Sequence, residues 1–164
     1  MIKAKNIFLV EDDEDDQQFF IDAIKEIDNS ICLYPAKNGV EALAKLNNMN
    51  TLPDLIFMDI NMPLMNGLEC LSHLKKHIQF KKIPVVILTT TSNGLERERA
   101  RVIGANFFLL KSFDFSLLLK NIKDMLNLFP PIGSKQKKYE HINISSSHIG
   151  MEPHIISLLA EGLS

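Results

Sequence analysis

Four short stretches made wholly of apolar residues constrain this chain more than any other feature. They are Ile7-Phe8-Leu9-Val10, Leu55-Ile56-Phe57-Met58, Val85-Val86-Ile87-Leu88 and Phe107-Phe108-Leu109-Leu110. A strand with one wet face alternates apolar and polar residues, so an unbroken apolar run reads as a strand buried on both faces. Ile31-Cys32-Leu33-Tyr34 is a weaker fifth run. Between the runs the apolar spacing turns helical. Phe19, Phe20, Ala23, Ile24 and Ile27 form one stripe, and Val40, Leu43 and Leu46 follow the Asn38-Gly39 turn. Leu68, Leu71 and Leu74 point inward from a helix over Gly67 to Lys76. A charged helix spans Leu95 to Ile103 and stops at Gly104, and a final helix shows Leu118, Ile122, Met125 and Phe129 on one face. Strand and helix thus alternate five times. Right-handed crossovers wind such a chain into an α/β fold, a doubly wound five-stranded parallel sheet with helices on both faces. Its site is expected outside the carboxyl ends of the strands.

The length of 164 residues fits one domain over residues 1–129 with an appended stretch over 130–164. Pro130-Pro131-Ile132-Gly133-Ser134 breaks the last helix, and Lys135 to Ser147 is polar without periodicity. This tail reads as disordered, as docking on a neighbour, or as an addition made for expression; Met151 to Leu159 is compatible with one short helix. His141, His148 and His154 are too irregularly spaced for a metal set. A net charge of -2 argues against binding nucleic acid, which requires a basic surface. The two cysteines, Cys32 and Cys70, stand in no metal-ligand spacing and are expected to be small core residues in a reducing compartment. No apolar run is long enough to cross a membrane, and the start is too short for a signal peptide. These readings predict a cytoplasmic protein with no membrane contact.

The residues that follow the strands are polar in a particular way. Glu11-Asp12-Asp13 follow the first strand, Asp59 the third, Thr89-Thr90-Thr91 the fourth and Lys111 the fifth. In a parallel sheet these meet on one edge. Carboxylates gathered there repel one another unless a cation intervenes, and oxygen ligands with partial hydration suit magnesium (Mg2+). A lysine offers a mobile point charge, and a threonine a hydroxyl donor, to a phosphoryl oxygen. Each residue alone has an ordinary explanation: Asp13 or Glu14 as the cap of the first helix, Asp59 as a turn residue, Lys111 as a solvated base. Their joint placement at four strand ends points to phosphoryl chemistry.

The sequence resembles the receiver domain of bacterial response regulators, a flavodoxin-like (βα)5 fold. The matching segments are Leu9-Val10-Glu11-Asp12-Asp13, then Pro53 through Pro63 around Asp59, then Asn66-Gly67-Leu68-Glu69. Ile83 through Thr89, Gly104-Ala105 and Phe108-Leu109-Leu110-Lys111 complete the set, which runs from about Asn6 to Phe129. The resemblance implies Asp59 as phosphoacceptor. It implies magnesium held by Glu11, Asp12, Asp59 and the backbone carbonyl of Asn61, although with three consecutive acids Asp12 and Asp13 are an alternative pair. Thr89 would contact the transferred group, Lys111 would balance its charge, and Phe108 would be the aromatic switch partner of Thr89, turning inward on activation. The partners implied are a sensor histidine kinase or histidine phosphotransfer protein. The face of helices 95–103 and 114–129 is a candidate for symmetric pairing with a second copy. One departure is Ser112, where the family usually has a cis proline after its lysine. With Leu88-Thr89-Thr90-Thr91-Ser92 it is similar to stand-alone receivers that partner phytochrome-like kinases.

Two other classes compete. An aspartate-nucleophile phosphatase also uses Asp, Lys, Thr and magnesium. It needs a general acid two residues after its nucleophile, where this chain has Asn61, and a cap insertion that is missing here. A degenerate receiver that only binds protein would lack site residues, and every expected one is present.

Overall fold

The computed structural model describes residues 4–90 and 94–129. Five strands alternate with five helices: β1 (Asn6–Val10), α1 (Glu14–Ile27), β2 (Cys32–Ala36), α2 (Gly39–Asn48), β3 (Leu55–Asp59), α3 (Gly67–Lys76), β4 (Val85–Thr89), α4 (Gly94–Ile103), β5 (Phe107–Leu110) and α5 (Phe115–Leu128). All strands pair in parallel, in the order β2-β1-β3-β4-β5. The winding reverses between β1 and β3. Their connections leave toward opposite faces there, which opens a crevice beyond the strand ends.

The apolar runs divide their side chains between two cores, as the period of two requires. Ile7, Leu9, Leu55, Phe57, Val86, Leu88, Phe107 and Leu109 face α1 and α5. Phe8, Val10, Ile56, Met58, Val85, Ile87 and Phe108 face the other way, toward α2, α3 and Ala100 of α4. Ring contacts tighten the first core, with Phe20 edge-on to Phe57 at 4.9 Å between centroids.

Four details depart from the sequence expectations. Strand β2 runs Cys32–Ala36, shifted along the chain from Ile31–Tyr34, and its side chains are alternately exposed because it is an edge strand. Cys32 is therefore exposed, and only Cys70 is a core cysteine, its thiol pushed up to about 12 by burial. Val40 lies outward on α2, where Ala42 and Leu46 make the buried contact. Leu68 is only partly buried on α3, where Cys70 joins Leu71 and Leu74. The tail over 130–164, with its three histidines, and Thr91 and Ser92 lie outside the described residues. Among the described residues no helix is long and apolar enough to cross a membrane.

The edge at β2 is shielded against pairing with another chain. Pro35 has no N–H to offer, and Lys45 Nζ donates to its carbonyl at 2.6 Å. Two glycines set the packing beneath the site. A Cβ on Gly67 would lie 2.1 Å from the Asp59 carbonyl oxygen, and one on Gly39 would lie 2.7 Å from Met65. Gly67 thus brings the start of α3 against the end of β3, and its N–H donates to Ile60 O at 2.8 Å. Asn66 and Glu69 close a reciprocal cap on α3.

Candidate functional site

The site forms where β1 and β3 end, at the crevice the strand order predicts. Glu11 directly follows β1, and its N–H continues the sheet by donating to Ala36 O at 2.9 Å. Asp59 is the last residue of β3, in register with Leu88, and Thr89 ends β4 opposite Leu110. Lys111 follows β5, with its N–H donating to Thr89 O at 2.8 Å. Sheet pairing therefore fixes four backbone positions before any side chain acts.

Lys111 is the hub. Its Nζ lies 2.6 Å from Glu11 Oε2, 2.9 Å from Asp16 Oδ2 and 3.2 Å from Asp59 Oδ2. Burial alone would lower its pKa, but hydrogen bonds to Glu11 and Asp16 and the charge of Asp59 raise it above the usual lysine range. Burial acts the other way on Glu11, which is 2% exposed. Desolvation raises its pKa to about 7, against the opposing pull of Lys111 and with a smaller push from Asp59. Asp59 is held on both sides, since its Oδ1 accepts from Ile60 N at 2.7 Å while Oδ2 faces Lys111.

Glu11, the more exposed Asp12 and Asp59 each place a carboxylate oxygen within 4.8 Å of the others. Three carboxylates, those of Glu11, Asp16 and Asp59, thus share a single ammonium, and Asp12 adds a fourth acid beside Glu11 and Asp59. Hard oxygen donors in charge excess, open to water at Asp12, fit a hydrated divalent cation such as magnesium. Of the two acidic pairs left open by the sequence, it is Glu11 and Asp12 that lie together with Asp59. Asp13 instead caps α1, its Oδ1 accepting from Asp15 N and Asp16 N at 2.9 Å each.

Asn61 is exposed, in the loop that carries the chain from β3 to α3. That loop folds tightly: Met65 N donates to Pro63 O at 2.8 Å across Leu64, whose φ is 65°. A three-residue turn with a bulky residue at positive φ is strained. Thr89 is buried at 8% exposure. Phe108 is equally buried, with the Arg97 guanidinium carbon 5.2 Å above its ring. The expectation that Phe108 waits outside and turns inward is therefore not met in this state; the ring is already in, covered by α4. No cis peptide occurs among the described residues, in keeping with Ser112 after Lys111.

Sequence reasoning missed two residues. Asp16 supplies the third partner of Lys111, and the signal was available: a helix capped at Asp13 turns its third residue back toward the strand end. Gln17 was also missed; its Nε2 donates to Glu11 O at 2.6 Å and steadies the acidic turn.

The chain matches the model of the response regulator receiver domain over residues 7–123. It is 41% identical over 106 residues to a probable transcriptional regulator, ycf29, of Pyropia yezoensis, covering 63% of this chain and 47% of that one. The chain thus spans about half the length of that relative. Response regulator Rcp1 of Synechocystis is 31% identical over 137 residues, with 79% of this chain and 87% of that one covered. The manganese-bound structure of response regulator Rcp1 matches with a TM-score of 0.66 at 30% identity, covering 74% of this chain and 91% of that one. The phosphorylated cyanobacterial phytochrome response regulator RcpA matches at 0.68 and 31% identity, covering 74% and 90%. Topology, strand-end chemistry and likeness agree, and the chain belongs to the CheY-like response regulator receiver domains of two-component signalling.

Proposed function

We propose that Asp59 accepts a phosphoryl group from the phosphohistidine of a sensor kinase or phosphotransfer protein. The observation that carries this reading is the buried Asp59 carboxylate, fixed by Ile60 N–H and facing Lys111 at 3.2 Å beside Glu11 and Asp12. A carboxylate oxygen attacks phosphorus, the P–O bond forms, the P–N bond breaks, and the imidazole leaves with the bonding pair. Glu11, Asp12, Asp59 and the Asn61 carbonyl would hold magnesium, which supplies positive charge to the phosphoryl oxygens. Lys111 exchanges its bond to Asp59 for one to a phosphoryl oxygen, and Thr89 donates its hydroxyl to another. Water attack on phosphorus reverses the modification and returns the carboxylate. The likeness to a phosphorylated and a manganese-bound receiver supports both parts of the reading.

The output in this reading is a protein contact, with no nucleic acid involved. Thr89 and Phe108 are the switch pair. Since Phe108 is already inside, the movable part is its cover, Arg97 on α4. Loss of acid-labile phosphate in Asp59→Asn after incubation with acetyl phosphate and magnesium tests the assignment, and persistent labelling in that variant overturns it.

A further inference from the structure

The start of α1 and the loop from β5 to α5 border a partly open cavity of about 130 Å3 immediately beside Lys111. Its apolar lining includes Leu9, Phe20, Leu88, Leu109 and Leu118, and Glu11, Asp16, Thr90, Lys111 and Ser112 form its polar side. Every one of the five apolar residues belongs to the buried core. On the rim lies Phe113, which is 99% exposed, the most exposed of the large apolar residues described. Ser112 Oγ accepts from Asp114 N at 3.0 Å across Phe113.

A void and an exposed ring side by side are two unfavourable features that one movement removes together. The apolar side of the cavity forgoes the contacts its lining atoms would make, and an exposed aromatic ring leaves a large apolar area in water. The size is suitable, because a cavity of roughly 150 Å3 lined by Leu, Ile and Phe takes up benzene. We propose that this cavity is a seat for a single aromatic ring and that Phe113 is its occupant, alternating between the outward position seen here and a seated one. The seated ring closes the opening next to Lys111 and keeps water from that side of the site. Through this, Phe113 would act as a positioning residue that lengthens the life of the aspartyl phosphate. That consequence rests on the proposed chemistry at Asp59; the seat itself does not.

Benzene is the probe. The full chain and Phe113→Ala are titrated with benzene while the methyl resonances of Leu9, Leu109 and Leu118 are followed. A ring that is seated half the time leaves half the cavities free, so its removal tightens benzene binding about twofold, and by more if the ring is seated longer. Equal affinity in the two proteins, or no binding by Phe113→Ala, overturns the proposal. Phe113 makes no buried contact here, so the variant is expected to fold. The same titration in Asp59→Asn needs no phosphoryl group. Its failure would remove the seat and leave the Asp59 chemistry standing, whereas an unphosphorylated Asp59 would leave the seat intact.

Discussion

Glu11 occupies the least comfortable position in the site, a carboxyl buried at the end of β1 with its nearest cation shared three ways. Its folded-state pKa of about 7 lies above the ordinary 4.5. Between those values the folded chain binds a proton that the unfolded chain has released. The stability this group contributes is thus fully present below 4.5 and is lost as pH rises through about 7. Thermal melts of the cation-free protein should show that decline, and Glu11→Gln should flatten it. Magnesium needs the ionised carboxylate, so its affinity should climb with pH and level off above about 7. An unchanged melting profile in Glu11→Gln would contradict the assignment. Asn121 on α5 offers a second test. It is 2% exposed, and its Oδ1 is buried without a hydrogen-bond partner among the described residues. An unsatisfied buried acceptor costs about 1–3 kcal/mol. Asn121→Leu, of similar size, should therefore raise unfolding stability in urea by about 1 kcal/mol or more; a loss of stability would mean the amide is paired in solution.

At the scale of elements, the end of β3 and the start of α3 act as one unit. The Asp59 carbonyl and Gly67 are so close that a Cβ has no room, and the obstacle is backbone, which cannot swing aside. Gly67→Ala should destabilise the fold by about 1–3 kcal/mol, as overpacking typically does, and should reduce phosphorylation of Asp59 because the strand end must shift. Normal labelling with unchanged denaturant midpoint would show that the loop yields freely. Strands β1, β3, β4 and β5 were legible in the sequence because burial on both faces demands unbroken apolar runs. Strand β2 was legible only as a weaker run with shifted bounds, because an edge strand needs only half its residues buried, and Pro35 marks it as an edge without marking its bounds. Gly67 was legible as part of a motif, but its reason, contact with a backbone oxygen from another element, emerges only in three dimensions.

Over the whole molecule, the face made by α4, β5 and α5 is the surface through which we propose the signal leaves. Leu95, Val102 and Leu110 are 73%, 72% and 52% exposed on it. Arg97 covers Phe108, while the exposed Glu98–Arg101 pair at 2.6 Å shows the mixed charge of α4. A symmetric dimer on this face would place each patch against its own copy. Sedimentation with and without beryllofluoride should reveal an activation-dependent mass increase that weakens with salt; a monomer throughout would leave a separate protein as the partner. The strand-end residues were legible in sequence because parallel topology sends every strand's carboxyl end to one edge. Asp16 was not, since it reaches the edge from within a helix, and the state of Phe108 was not, since its cover comes from another element. Phosphoryl transfer to Asp59 is open to a direct check, the intact mass of the protein after incubation with acetyl phosphate and magnesium. One added phosphoryl group is expected, located on the peptide containing Asp59, absent without divalent cation and absent in Asp59→Asn. An unmodified mass under these conditions, or a phosphoryl group that survives in Asp59→Asn, would refute the assignment.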